Sequence, residues 1–97
     1  MGLSIKVTHV QPLDDLWLRV NFVNGETKYY DIKQLIKTFP VYEDLYNRDI
    51  YQLVKVDCGG YAVSWNSDID ISECELWGNG VSSEQYTQIV SGASALA

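Results

Sequence analysis

The sequence predicts an α+β fold: an antiparallel sheet of two β-hairpins plus an N-terminal strand, with short helices packed on one face. Three observations predict it. Leu16, Leu18, Val20 and Phe22 alternate with Trp17, Arg19, Asn21 and Val23 at period 2, directly before the turn pair Asn24-Gly25, whose residues tolerate positive φ. A second alternation runs from Ile50 to Val56 and returns through Asp57-Cys58-Gly59-Gly60 into Tyr61 to Trp65. Helix-capping patterns open at Asp31, Ser72 and Ser82, each followed three positions later by Gln or Glu.

The elements follow in order. Leu3, Ile5 and Val7 alternate with Ser4, Lys6 and Thr8, which predicts a half-buried first strand; Pro12-Leu13-Asp14-Asp15 then interrupts it with turn residues. Thr27 to Ile32 is the return strand of the first hairpin. A two-residue turn would set Thr27, Tyr29 and Asp31 beside Leu18, Val20 and Phe22. A three-residue loop with a glycine bulge sets Tyr30 and Ile32 there instead, and it buries more apolar surface, so it is the preferred register. Leu35, Ile36 and Phe39 make the face of a short helix that Pro40 ends. Ile50 to Val56 is expected as a strand. Asn66 to Ile71 reads as a polar corner carrying two alternating isoleucines. Gly78 stops the helix that Ser72 opens. Ser82 opens a last helix with the stripe Tyr86, Ile89 and Val90. Residues 1–90 are expected to form one domain, with 91–97 a flexible tail of small residues.

Composition narrows the function classes. At 97 residues the chain can build one modest core. No apolar run approaches the roughly 20 residues that span a bilayer, and the N-terminus lacks a basic stretch followed by an apolar one, which predicts a cytoplasmic protein with no membrane partner. Seven Lys and Arg stand against 13 Asp and Glu, a net charge of −6. The basic residues form no block, which argues against direct nucleic-acid binding, since such binding draws its affinity from Lys and Arg at phosphates. The acidic balance suits a basic protein partner.

No catalytic set emerges. His9 is the sole histidine, and Cys58 and Cys74 are the only cysteines; neither a zinc set nor a nucleophilic triad can be assembled from close spacings. Glycine-rich phosphate loops are absent. Asp68, Asp70, Glu73 and Glu75 cluster in sequence, but an EF-hand register fails. Counted from Asn66 its sixth and twelfth positions are Ile71 and Trp77, and from Asp68 they are Glu73 and Asn79. No cofactor or metal is expected. The candidate binding residues are Trp17, Trp65, Asp68, Asp70 and Trp77, because exposed tryptophans are enriched at binding hot spots and the aspartates flank two of them. Trp17 is weighed towards core packing.

The order of these features resembles a bacterial family known as domain of unknown function 2442. The matching pieces are Ile5-Lys6-Val7-Thr8-His9-Val10, Leu18-Arg19-Val20-Asn21-Phe22 with Asn24-Gly25-Glu26, Tyr30-Asp31-Ile32, Leu45, Tyr51, Val54-Lys55-Val56, Val63-Ser64-Trp65, Asp68-Ile69-Asp70-Ile71 and Leu76-Trp77, over about residues 4–78. Trp77 departs from a pattern that usually has Tyr there. The resemblance implies a compact α+β domain that partners other small proteins encoded nearby, with an antitoxin-like role for some members, and it supplies no catalytic residues.

The leading expectation is therefore a non-enzymatic module that binds another small, basic protein, antitoxin-like in role, with a sheet edge open to homodimer pairing. The alternatives are a small metal-dependent hydrolase using Asp68, Asp70 and Glu73, and a nucleic-acid-associated adaptor.

Overall fold

The structure, a computed structural model, describes residues 5–95, with side chains to residue 91. Its strands are β1 (Val7–Pro12), β2 (Trp17–Phe22), β3 (Thr27–Asp31), β4 (Lys55–Asp57), β5 (Ala62–Asn66) and β6 (Ile69–Ser72). The helices are α1 (Ile32–Thr38), α2 (Arg48–Tyr51), α3 (Glu73–Asn79) and α4 (Ser83–Ala95). The fold is α+β, and all strand pairs are antiparallel. The strands divide into two three-stranded sheets, ordered β1-β2-β3 and β4-β5-β6.

The first hairpin adopts the three-residue loop. Leu18 pairs with Tyr30 and Val20 with Lys28, while the Phe22 amide donates to the Glu26 carbonyl at 2.9 Å. Gly25 takes φ +89° in that loop, a conformation that glycine adopts without steric penalty. Tyr30 and Ile32 consequently lie with Leu18 and Val20 in the core, all four at most 4% exposed. Asp31 ends β3 and caps α1, its carboxylate accepting from the Lys33 amide at 3.0 Å.

Two segments depart from the expected pattern. Ile50 to Val56 is not one strand: Arg48–Tyr51 is helical, and only Lys55–Asp57 is extended from that stretch. The Asn47 side chain accepts from the Asp49 amide at 2.9 Å and starts the turn. Tyr51 is then fixed by two tertiary hydrogen bonds: its hydroxyl donates to the Trp17 carbonyl, and its carbonyl accepts from Trp65 Nε1. Those long-range bonds override a local alternation that has only weak strand propensity of its own. The second departure is the corner after Trp65, which is a tight β5–β6 hairpin. Asn66 Oδ1 accepts from the amides of Asp68 and Ile69 at 2.8 and 3.0 Å, and Ile69 and Ile71 face the core.

The two sheets share one core. Leu18 and Val20 from the first, Val63 from the second, and Ile32, Leu45 and Leu76 from the connecting segments are fully buried. Gly60, at φ +100°, lies so close to β1 that an added Cβ would sit 2.8 Å from the Val7 carbonyl oxygen. Helices are not confined to one face. In a strand, successive side chains alternate faces, so Trp17 and Tyr29 lie opposite Leu18 and Tyr30, and Tyr86 of α4 covers them. The chain reaches that side through Val81, which exchanges two backbone hydrogen bonds with Tyr29, at 2.7 and 2.8 Å, along the outer edge of β3. Ser82 and Gln85 form the expected reciprocal capping box, at 3.0 and 3.1 Å. Of the tail expected from residue 91, the stretch through Ala95 belongs to α4, and residues 96–97 lie outside the described residues.

Candidate functional site

The structure scatters the tryptophans and aspartates singled out by the sequence. Trp17 is 5% exposed; its ring meets Tyr86 edge-on at 5.0 Å, and the Lys33 ammonium lies 5.2 Å from its centre. Trp65 is 4% exposed and linked to Tyr51. Both are packing residues, joined through Tyr51. Trp77 is half-buried, edge-on to Phe22 at 5.0 Å, with the Lys28 ammonium 4.0 Å over its ring and donating to its carbonyl at 2.6 Å. Asp68 is exposed in the β5–β6 turn, and Asp70 points outward from β6. Glu73, by contrast, is buried at the start of α3. Among the described residues no three His, Cys, Asp or Glu side chains converge so that they could hold a metal ion. His9 is exposed and contacts its neighbour Thr8, 3.3 Å away. Cys58 and Cys74 are exposed free thiols.

What tertiary structure does bring together is a cleft of about 460 Å³ between α1 and α3. Glu75 is its central group. Glu75 Oε2 accepts from the Tyr30 hydroxyl at 2.7 Å and from Asn79 Nδ2 at 2.9 Å. Asp31, Gln34, Leu35, Thr38 and Phe39 form the opposite wall. Burial, followed by the hydrogen bond and charge of Glu75, pushes the Tyr30 hydroxyl far above the ordinary tyrosine range. Nearby Tyr42 donates to the Asp70 carbonyl at 3.0 Å; burial, then the charges of Asp70 and Glu75, raise its hydroxyl as well. One predicted residue, Asp70, therefore borders this negatively charged corner. Glu75 stands in the sequence as one of the acidic cluster, but its pairing with Tyr30 is not legible there, because the two are 45 positions apart; the available signal was Glu75 and Asn79, which are four apart and share one face of α3.

The segment joining α1 to β4 is the other unusual surface. Phe39, Val41, Tyr46 and Leu53 are between 53% and 72% exposed, half of the large exposed hydrophobic side chains among the described residues. Glu43, Asp44 and Asp49 are exposed between them. Tyr46 and Arg48 also border a groove of about 580 Å³ against the Leu13–Leu16 turn. In that turn Asp15 and Leu16 both take φ +60°, and Lys33 holds Asp15 through its carbonyl at 2.6 Å and its carboxylate at 3.3 Å.

The family described as "Protein of unknown function (DUF2442)" matches residues 7–82. The chain belongs to the DUF2442 family. The match spans both sheets and α1 to α3 of this DUF2442 chain and ends where α4 begins. No curated protein matches the chain, and no solved structure does. No helix among the described residues is long and apolar enough to cross a membrane.

Proposed function

We propose that this DUF2442 chain is a non-enzymatic binding module whose partner is another small protein of basic character, and that its role is to neutralise that partner in the manner of an antitoxin. The observation that carries this reading is the α1–β4 segment, where Phe39, Val41, Tyr46 and Leu53 stand exposed among Glu43, Asp44 and Asp49. Scattered surface hydrophobics are ordinary; several along one segment, bordered by polar carboxylates, have the character of a protein-interaction patch with a polar rim. The net charge of −6 would steer a basic partner towards it.

The test is affinity capture from the native host with the wild-type chain, with Val41→Asp and with Tyr46→Ala. The reading expects one co-purifying basic protein, retained by wild type and lost from Val41→Asp. Repeated recovery of nothing above background overturns it.

A further inference from the structure

We propose that the cleft between α1 and α3 receives an arginine side chain of the partner protein, with the guanidinium paired to Glu75. This rests on the reading of the chain as a protein-binding module and names the chemistry by which the partner is held.

The cleft has the features that such a side chain needs. Among the described residues, the ion pairs are those of Lys33 with Asp15 and Asp31, so none neutralises Glu75. The carboxylate is held in place by neutral donors, the Tyr30 hydroxyl and the Asn79 amide, both on Oε2. Oε1 accepts no hydrogen bond from the described residues. Tyr30 is only 4% exposed, so its hydroxyl is a rigid prop rather than a mobile surface group. The other carboxylate of the cleft, Asp31, is already engaged by the amide and ammonium of Lys33, which leaves one uncompensated negative charge for one incoming cation.

The walls select between cations. Phe39, a residue 53% exposed, and Gln34 of α1 line the cleft together with Glu75. A guanidinium is planar, stacks on aromatic faces and directs several N–H donors in one plane, towards a carboxylate and an amide oxygen together. An ammonium is a strongly hydrated point charge that uses neither the plane nor the ring as well. Leu35 supplies apolar surface for the aliphatic stem, and a volume of about 460 Å³ accommodates stem and head group.

The experiment is an NMR titration of the full chain with N-acetyl-arginine methylamide, alongside its lysine and citrulline counterparts. Citrulline keeps the shape of arginine and lacks the charge. The arginine compound is expected to give saturable shifts at the amides of Gln34, Thr38, Glu75 and Asn79, the lysine compound weaker ones, and the citrulline compound none. Glu75→Gln keeps an acceptor for Tyr30 and Asn79 but removes the charge, and should weaken binding by about tenfold or more, the scale of a charge-assisted pair. Phe39→Leu, at an exposed position that the fold does not need, should weaken it about threefold. Equal shifts from citrulline, arginine binding unchanged in Glu75→Gln, or shifts centred on Asp14, Asp15 and Asp44 would each overturn the proposal. If wild type captures a partner that Val41→Asp loses, while the arginine compound leaves the cleft unmoved, the arginine site fails and the module reading stands. If the arginine compound binds but no partner protein is recovered, the partner as its source fails together with that reading.

Discussion

Tyr86 lies flat on Tyr29, ring centres 4.2 Å apart and planes 8° from parallel. The same Tyr86 ring meets Trp17 edge-on. Of the aromatic contacts, these two tie α4, which lies beyond the matched family segment, to the outer face of the first sheet.

Removing that ring should loosen α4 and leave the shared core standing. Tyr86→Ala is expected to lower stability by about 2 kcal/mol, from lost apolar burial plus two aromatic pairs. Chemical denaturation measures the loss. Native-state hydrogen exchange should show faster exchange at residues 86–91 and unchanged exchange in β2 and β5; a uniform increase across the chain would refute local undocking.

The buried hydroxyls of Tyr30 and Tyr51 make stability fall at alkaline pH. Burial is the leading cause that raises both, with the Glu75 hydrogen bond adding to it at Tyr30. A group whose pKa is raised on folding gives its full stabilisation below its unfolded value, about 10 for tyrosine, and loses it as pH rises towards the folded value. The unfolding midpoint should therefore decline from about pH 10 upward. Tyr30→Phe and Tyr51→Phe should each flatten the decline, and an alkaline limb unchanged in the double variant would contradict the assignment. At neutral pH Tyr51→Phe also removes one of the two donors to the Trp17 carbonyl, which keeps the Leu13 amide at 2.7 Å, a loss of about 1 kcal/mol.

At the acid end the relevant group is Asp57. Its carboxylate accepts from the Cys58 amide at 2.8 Å and from the Ser64 hydroxyl at 2.9 Å, and these bonds, the amide first, hold it below the ordinary aspartate range. A lowered pKa gives stabilisation that is present above the unfolded value and lost as pH falls through the folded one. Asp57→Asn keeps an acceptor and removes the titration. Melting curves from about pH 6 to about pH 2 should show a shallower acid slope for the variant than for wild type; parallel slopes would discount Asp57.

Gly60 is where the second sheet abuts β1. An alanine there meets the Val7 carbonyl oxygen at 2.8 Å and Lys6 Cβ at 3.0 Å, in a backbone conformation of φ +100°. Gly60→Ala should destabilise by roughly 2–4 kcal/mol, combining strain with displacement of β1. Gly59→Ala, at φ +64° with nothing within 4 Å of the added carbon, should lose about 1 kcal/mol. Equal losses would show that the close approach to β1 is unimportant.

By itself the sequence determined what neighbouring residues can settle: the three-residue loop at Asn24-Gly25, the resulting placement of Tyr30 and Ile32 in the core, and the caps at Asp31, Ser72 and Ser82. Each depends on groups a few positions apart, so local spacing carries the information. Tertiary structure alone decided that Arg48–Tyr51 is helical, that the strands divide into two sheets, and that Trp17 lies beneath Tyr86. It also decided the candidate site, since Glu75 acquires its meaning from Tyr30, 45 residues earlier. Such contacts depend on which faces meet after the elements pack, and alternation within one strand or helix does not encode its distant partner.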